Sequence, residues 1–339
     1  MHKPIISVLL PVYNEEKYIK KSIESILAQT FVDFEIIVIN DASTDNSSDI
    51  IKSFKDPRIK ILNNKKNSGI SKSLNEGFLV TKGDYIARMD ANDIAIDTRF
   101  EKQLQYLQNY PDCVGVFCPV LKIDENGKSL DRIEGKYIPP ELIQTYMFYK
   151  TCFFHSTVLL RKNKLSNPPY DENNLAEDYV LWVKLLQKWE LHILDEVLMQ
   201  VRDLPDGLRF KEECRVSYHT TKISNLELLH INPDNEEIDI HLSLWEKTDD
   251  IENNIAVKKM KWLDKLYKAN KQYSIYNEPY FTAKLIEHWN RLVNNKNNPS
   301  LMFFLSYLQS PLRIIAKKPI SRTIRLLFHL FYVVNYKRS

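Results

Sequence analysis

The sequence lacks the short glycine motifs that mark several common classes of nucleotide-binding enzyme. It has only seven glycines in 339 residues, and they form neither a G-x-G-x-x-G turn after the first apolar run nor a G-x-x-x-x-G-K-[ST] loop anywhere. Both motifs use glycine so that the backbone can approach phosphate groups closely. Their absence argues against a dinucleotide dehydrogenase and against a P-loop phosphotransferase.

Cysteine is also scarce, and its spacing excludes the usual zinc and redox motifs. The cysteines are Cys113, Cys118, Cys152 and Cys214. None of them forms a C-x-x-C pair, so we interpret them as reduced residues of a cytoplasmic protein. The N-terminal residues lack the features of a signal peptide, and no apolar run is long enough for a transmembrane helix. We therefore expect a cytoplasmic protein without a membrane-spanning helix.

Acidic residues are missing from one end of the chain. From His288 to Ser339 there are nine Lys and Arg and no Asp or Glu, whereas the net charge of the whole chain is only +3. The rest of the chain is therefore mildly acidic, and nucleic acid is not an expected partner. With 44% hydrophobic and 27% charged residues, the composition is that of a globular protein.

The first third of the chain alternates between strand-like and helix-like patterns. Strands are predicted at Ile5–Leu10, Phe34–Ile39, Ile59–Leu62 and Tyr85–Met89. Apolar stripes at helical spacing lie between them, and we expect Asn14 and Asp97 to cap two of these helices. Such alternation predicts an α/β fold: a mostly parallel, Rossmann-like sheet with helices on both faces.

The pattern changes after Cys113. Residues 124–127 predict a turn between two strands, and Glu177 and Asp178 open a helix striped by apolar residues. From about Phe210 onward the chain is mostly helical. We therefore divide it into three parts, 1–110, 111–205 and a helical extension at 206–339.

Polar residues follow three of the predicted strands. They include Glu15 after the first strand, Asp41 after the second and Asp90 after the fourth. In an open parallel sheet, ligands bind outside the carboxyl ends of the strands, so these carboxylates are expected to face one crevice. Hard oxygen ligands suit Mg²⁺ or Mn²⁺, and such an ion can bridge a diphosphate. The alternative is that each residue only caps a helix or forms a turn.

Five segments together resemble the successive motifs of family 2 glycosyltransferases. They are Val8–Glu15, Asn40–Asp45, Asn67–Gly69, Ala87–Asp93 and Ala176–Tyr179 with Trp182 downstream. The resemblance covers roughly residues 4–205, and it implies that 1–110 is the nucleotide-sugar-binding half and 111–205 the acceptor-binding half. It implies a GT-A fold and inverting transfer of a sugar from a nucleotide diphosphate donor, most simply a UDP-sugar. The implied acceptor is a saccharide, free or lipid-linked, in the synthesis of cell-surface polysaccharide or lipopolysaccharide.

The resemblance also implies roles for individual residues. Donor binding is assigned to Pro11, Tyr13, Glu15, Asp41, Gly69, Arg88 and Asp90. The Mn²⁺ or Mg²⁺ ligands are expected among Asp90, Asn92 and Asp93. Asp178 would be the catalytic base, because the acceptor hydroxyl must lose a proton as it attacks the anomeric carbon. Acceptor-side candidates are His155, Glu177 and Trp182. For His155, a hydrogen-bonded core histidine is an equally good interpretation.

Two positions depart from the family pattern. Asn92 stands where members commonly have Asp, and it offers a cation an uncharged oxygen. Arg202 is followed by Asp203 and Leu204, so the histidine of the usual Arg-x-His motif is absent. These departures keep open a non-catalytic scaffold in a glycan-assembly complex. A nucleotidyltransferase is the other alternative, although its glycine-rich and basic N-terminal motif is missing.

The C-terminal segment combines apolar and basic side chains. The stretch 301–334 is rich in Leu, Ile, Phe and Val with interleaved Lys and Arg, and Pro311 and Pro319 divide it into short helices. This combination suits helices that lie on an anionic membrane surface. Packing on the enzyme's own body or on a second subunit is the alternative.

Overall fold

The computed structural model describes residues 2–204, 212–244, 252–294 and 300–316. The chain forms two compact units, residues 1–218 and 219–339. The strands are β1 Ile6–Val12, β2 Phe34–Asn40, β3 Ile59–Asn63, β4 Tyr85–Arg88, β5 Ile94–Ala95, β6 Cys113–Phe117, β7 Val120–Ile123, β8 Ser129–Glu134, β9 Leu159–Arg161, β10 Glu190–Ile193 and β11 Met199–Arg202. The helices of the first unit are α1 Ile19–Leu27, α2 Ser47–Ser53, α3 Ile70–Val80, α4 Arg99–Asn109, α5 Pro140–Tyr149 and α6 Glu177–Leu186.

The first unit is built on a seven-stranded sheet with the order β10-β6-β9-β4-β1-β2-β3. Strands β1 to β4 pair in parallel, as do β6 and β10, whereas β9 is antiparallel to both of its neighbours. A smaller sheet with the order β5-β11-β7-β8 lies in the same unit. Because β1 has β4 on one side and β2 on the other, the loops that follow these three strands meet at one edge of the sheet.

Strand β1 shows why the sheet is covered on both faces. Its residues alternate between two apolar cores: Val8 and Leu10 belong to the core with the helices α1, α2 and α4, and Leu9 belongs to the core with α3, α5 and α6. Because both faces are buried, the strand is a continuous apolar run in the sequence. The predicted α/β fold with a mostly parallel sheet is confirmed.

Two predicted helix caps were wrong. Helix α1 begins at Ile19, and Asn14 lies ahead of it in the left-handed conformation with a φ of 56°. Helix α4 begins at Arg99, with Thr98 rather than Asp97 at the capping position and no side-chain cap. The turn predicted at 124–127 is present between β7 and β8.

The second unit is helical in the part that the structure describes. Its helices are α7 Glu212–Leu228, which begins in the first unit, α8 Asn235–Ser243, α9 Asn253–Tyr273, α10 Glu278–Asn294, α11 Leu301–Gln309 and α12 Pro311–Ile315. The predicted helical C-terminal part is thus confirmed up to residue 316. Within the described ranges no helix is both long and apolar enough to cross a membrane. The tail from residue 317, including Pro319, lies outside the described residues.

Candidate functional site

The loops after β1 and β2 are joined to each other by hydrogen bonds. The Asn14 side-chain oxygen accepts from Thr44 N at 2.8 Å, and Glu15 N donates to Ser47 Oγ at 2.8 Å. The left-handed φ of Asn14 is a conformation that Asn adopts more readily than most residues. Tyr13, which precedes it, leaves about half of its side chain exposed at this edge. The nucleotide-pocket residues predicted after β1 therefore stand on a fixed backbone.

Asp41, at the end of β2, holds the loop that leads into α3. Its buried carboxylate accepts hydrogen bonds from Asn64 Nδ2 at 2.8 Å, Ser68 N at 2.9 Å and Gly69 N at 2.9 Å. Gly69 has a φ of 85°, which glycine adopts without strain. A carboxylate has about four acceptor positions, so these bonds leave about one for a ligand. Asp41 and Gly69, both predicted donor-binding residues, are thus brought together.

A group of carboxylates lies where the loops after β1 and β4 meet. Burial, and then the charges of Asp90 and Asp93, raise the pKa of Glu15 to about 7. Burial and Asp90 also raise the pKa of Asp93 to about 7. Asn92 lies among these acids and donates from Nδ2 to Glu15 Oε1 at 3.2 Å. The repulsion among these acids makes the group a favourable place for positive charge.

Arg88 supplies a positive charge beneath these acids. Its side chain is almost fully buried, and its Nη2 lies 2.6 Å from Asp90 Oδ1. In the described part of the chain its Nε and Nη1 atoms have no hydrogen-bond partner. The Asp90 carboxylate, by contrast, keeps 40% of its accessible surface. Arg88 therefore holds Asp90 from the inside while the carboxylate faces solvent.

The three predicted metal residues differ in their surroundings. Asp93 is only 1% exposed and accepts from Arg202 N at 3.2 Å, so it joins the loop after β4 to strand β11. Asp90 is accessible, and Asn92, two residues further on and only partly buried, has a side-chain oxygen that is a second hard donor in the same loop. No three His, Cys, Asp or Glu side chains converge to hold a metal by themselves within the described ranges. Asp90 and Asn92 suit a divalent cation that takes further oxygens from a diphosphate.

A second group of polar residues lies at the start of α6. Glu177 Oε1 is 3.4 Å from His155 Nδ1, and His155 Nε2 is 3.0 Å from the Tyr170 hydroxyl. Burial, and then the charge of Arg88, lower the pKa of His155 to about 3, so the ring is neutral at physiological pH. Burial raises the pKa of Glu177 to about 7. The structure thus makes His155 a hydrogen-bonded, buried histidine that adjoins a predicted acceptor residue.

Asp178 lies beside this group and is half-buried. Burial, and then the neighbouring carboxyl of Glu177, raise the pKa of Asp178. One of its oxygens accepts from Tyr179 N at 2.7 Å. A carboxylate whose pKa is raised binds a proton more tightly, and this is a property that a general base needs.

Trp182 is a core residue in this structure. Its indole is fully buried and packs edge-on against Phe117 and His155, with ring centroids 4.9 Å and 5.5 Å away. Trp182, an acceptor-side candidate, therefore lies in the core behind His155 and has no exposed surface of its own. Trp182 lies about one helical turn after Asp178 in α6. Its ring packs in the core against the ring of His155.

The sequence did not reveal the role of Arg202. Its guanidinium lies 4.6 Å from the centre of the Tyr18 ring and donates to the carbonyls of Asp124 and Glu125, each at 2.9 Å. Asp203 accepts from Arg132 Nη2 at 2.7 Å. The end of β11 is thus fixed to the β7–β8 turn. No spacing or periodicity in the sequence predicts these contacts, because the partners are distant from one another along the chain.

Comparison with known proteins identifies a family model and several relatives. Residues 7–167 match the model described as glycosyl transferase family 2. An uncharacterized glycosyltransferase of Methanocaldococcus jannaschii is 35% identical over 232 residues, which cover 66% of this chain and 80% of the relative. The putative glycosyltransferase EpsE of Bacillus subtilis is 32% identical over 61% of this chain and 76% of its own length. The O-antigen biosynthesis glycosyltransferase WbnJ of Escherichia coli is 35% identical over 54% of this chain and 72% of its own.

Solved structures share the fold at low sequence identity. Staphylococcus aureus TarS 1-349 in complex with UDP matches with a TM-score of 0.55 and 17% identity, over 86% of this chain and 88% of that one. The mannosyltransferase PcManGT of Pyrobaculum calidifontis, in complex with GDP-Man and Mn²⁺, matches with a TM-score of 0.50 and 13% identity, over 98% and 88%. The predicted GT-A fold with a helical C-terminal part is confirmed by these matches.

Proposed function

The chain belongs to glycosyl transferase family 2, and from that premise we propose that it moves a hexosyl or N-acetylhexosaminyl group from a UDP-sugar to a saccharide acceptor with inversion at the anomeric carbon. The observation that carries this proposal is that the candidate nucleotide site and the candidate catalytic base lie in the same unit. An edge of hydrogen-bonded loops that suits a nucleotide lies in the same unit as Asp178, and the charges of both Asp90 and Asp178 act on His155.

The donor would lie across the loops after β1, β2 and β4. Pro11, Tyr13 and Glu15 would line the base and ribose pocket, and the open acceptor position of Asp41 would take N3–H of uracil. Gly69 supports this arrangement because it fixes the Asp41 carboxylate. Arg88 would hold Asp90 towards the donor phosphates. The choice of uridine draws on TarS, whose structures contain UDP and UDP-GlcNAc.

Transfer would proceed as a single displacement. The acceptor hydroxyl gives its proton to the Asp178 carboxylate while its oxygen attacks the anomeric carbon from the face opposite the diphosphate. The bond between that carbon and the diphosphate oxygen breaks, and the nucleoside diphosphate leaves with the bonding electrons. Glu177 and neutral His155, held by Tyr170, would position the start of α6 and the acceptor.

A divalent cation would assist the departure of the diphosphate. We assign its protein ligands to Asp90 and the Asn92 oxygen, while Asp93, which is buried against β11, would position the loop that carries them. Mn²⁺ or Mg²⁺ at this place would neutralise charge that develops on the leaving group. PcManGT, which shares the fold, was crystallised with Mn²⁺.

We propose that the acceptor is a growing cell-surface glycan carried on a lipid and that the reaction takes place in the cytoplasm. Relatives named for O-antigen biosynthesis and for amylovoran biosynthesis support this class of product. A non-catalytic scaffold is the second candidate, because Asn92 carries no charge and Leu204 replaces the expected histidine.

Release of nucleoside diphosphate tests the proposal. The full chain with Mn²⁺ is incubated with UDP-glucose, UDP-galactose, their N-acetylhexosamine counterparts and GDP-mannose, and free nucleoside diphosphate is measured. We expect at least one UDP-sugar to be cleaved faster than GDP-mannose, and the Asp178→Asn variant to be slower. A chain that releases no diphosphate from any donor would instead be a scaffold.

A further inference from the structure

The helices α11 and α12 are held within the second unit by buried side chains and a hydrogen bond. Phe303 and Tyr307 of α11 are fully buried, and the Tyr307 ring stacks on Trp289 of α10 with centroids 5.3 Å apart. Between the two helices, Ser310 Oγ donates to Asp264 Oδ1 of α9 at 2.6 Å. Ser300 caps α11 by accepting from Phe303 N at 3.1 Å. These contacts give the pair a defined position within its unit.

Both helices of the pair also carry large apolar side chains that are exposed. We call this surface the α11–α12 face, and it consists of Leu301, Met302, Leu305, Ile314 and Ile315. Their exposed fractions run from 39% to 72%. Single exposed apolar side chains are common on proteins, but Leu301, Met302 and Leu305 share one side of α11 at i,i+3 and i,i+4 spacing, and such a group marks an interaction surface. Buried Phe303 and Tyr307 anchor α11 in its unit, so the exposed apolar side chains belong to a packed helix.

The charge of the neighbouring sequence identifies the partner. Arg313 lies within α12, and the segment that follows Ala316 contains six Lys and Arg and no Asp or Glu. No acidic residue occurs anywhere after Glu287. Apolar side chains next to an uninterrupted positive charge complement an anionic phospholipid surface, where the former enter the acyl boundary and the latter contact phosphate groups.

We propose that the α11–α12 face docks on anionic lipid bilayers. The five apolar side chains enter the bilayer interface, and the basic residues after Ala316 add electrostatic attraction. Docking itself is independent of sugar transfer, and only its purpose, access to a lipid-carried acceptor, rests on the proposed function.

Vesicle co-sedimentation of the full chain tests this proposal. Vesicles of phosphatidylcholine with about one third phosphatidylglycerol are compared with pure phosphatidylcholine, at low and high salt. The first variant is Leu301→Gln/Met302→Gln/Leu305→Gln, and the second is Ile314→Gln/Ile315→Gln. The matched control, Val32→Gln/Leu79→Gln, changes residues of the first unit that are 68% and 62% exposed. Circular dichroism checks that every variant is folded.

We expect binding to anionic vesicles that falls several-fold at high salt and is weak on phosphatidylcholine alone. Each α11–α12 variant should lower the partition by about tenfold, and the control should bind as the wild type does. Three outcomes would overturn the proposal. The wild type does not sediment with anionic vesicles at low salt, the variants bind as it does, or the variants only dissociate an oligomer, which would mean that a second copy covers the face.

The two proposals fail separately. Hydrolysis of the donor is measured without vesicles, where the α11–α12 variants should match the wild type because their changes lie outside the site. Conversely, Asp178→Asn should leave vesicle binding unchanged. Absence of vesicle binding in an enzyme that still cleaves its donor would remove the membrane proposal alone.

Discussion

The catalytic role of Asp178 rests on one carboxylate at the start of α6. Replacing Asp178 with Asn keeps its shape but removes the proton acceptor, so transfer should fall by about 10²–10⁴-fold. The affinity for the UDP donor should stay nearly the same, because the predicted donor contacts lie on other loops. Steady-state kinetics and calorimetric titration with UDP separate the two effects. Weaker UDP binding with unchanged turnover would mean that Asp178 belongs to the donor pocket.

Asp41 both holds a loop and is predicted to recognise the base. Asp41→Ala removes the acceptor of three hydrogen bonds that hold the loop before α3, together with the acceptor proposed for the base, so UDP should bind about tenfold more weakly or worse. The preference for UDP over GDP, measured by titration, should shrink. Asp49→Ala on the exposed side of α2 is the control and should change neither. An unchanged preference in Asp41→Ala would place base recognition elsewhere.

Asn92 allows the cation site to be tested by adding a charge. In Asn92→Asp the new carboxylate loses the hydrogen bond to Glu15 and repels it, so the metal-free protein should melt at a lower temperature. With Mn²⁺ the same charge becomes a ligand, and the metal should bind about tenfold more tightly. Thermal melts over a Mn²⁺ titration measure both effects, with Asn126→Asp in the exposed β7–β8 turn as the control. A lower melting temperature that Mn²⁺ does not restore would make Asn92 a turn residue.

At the scale of elements, strand β6 depends on the absence of a side chain at Gly115. A Cβ atom there would lie 2.5 Å from Leu160 Cδ2 and 3.1 Å from Leu191 Cδ2, and both leucines are buried. Gly115→Ala should therefore lower the free energy of unfolding by about 1–3 kcal/mol, as measured by urea denaturation. Adding Leu160→Val should recover part of the loss if the clash is the cause. If the double variant loses as much free energy of unfolding as the two single variants together, the clash with Leu160 is not the cause.

The sequence predicted elements well where local pattern decides them. Strands β1 and β2 were predicted almost to their observed bounds, because both faces of each are buried and the apolar run is continuous. Asn14 was assigned to a helix cap, whereas hydrogen bonds to the loop after β2 hold it in the left-handed conformation. The antiparallel direction of β9 was not predicted, since it depends on pairing with β4, a strand far away in the sequence.

The sequence also predicted some of the residues of the candidate site but not their surroundings. The resemblance assigned the strand-end acids, and the structure brings Glu15, Asp90 and Asp93 together. It could not reveal that Trp182 faces the core, because an apolar stripe does not distinguish a residue that lines a pocket from one beneath it. The burial of Arg88 under Asp90 likewise depends on tertiary packing.

At the scale of the whole molecule, the buried carboxyls tie stability to pH. The pKa of Glu177 is raised from 4.5 to about 7, so the folded state holds this proton more tightly than the unfolded state. Its contribution to the free energy of unfolding is therefore complete below about pH 4.5 and is lost as the pH rises to about 7. The glutamine in Glu177→Gln has no titratable proton, so the variant does not lose this part of the free energy of unfolding as the pH rises.

Glu177→Gln should therefore be more stable relative to the wild type at pH 8 than at pH 5, by an amount on the order of 2 kcal/mol. Urea denaturation of both proteins at the two pH values measures this difference. Glu24→Gln, at an exposed position on α1, should show no such change. If the Glu177→Gln difference is the same at pH 5 and pH 8, the buried carboxyl does not carry the pH dependence.

Strand β9 also constrains how the protein is made. It lies between β4 and β6, so β4 has no neighbour on that side until the ribosome has released the chain through Arg161. During that interval the main-chain N–H and C=O groups of Tyr85 to Ala87 form an open template to which another nascent chain can pair. Translation that pauses between Tyr110 and Arg161 should thus increase aggregation. A fragment cut near Tyr110 to isolate the nucleotide-binding half would keep that open edge permanently.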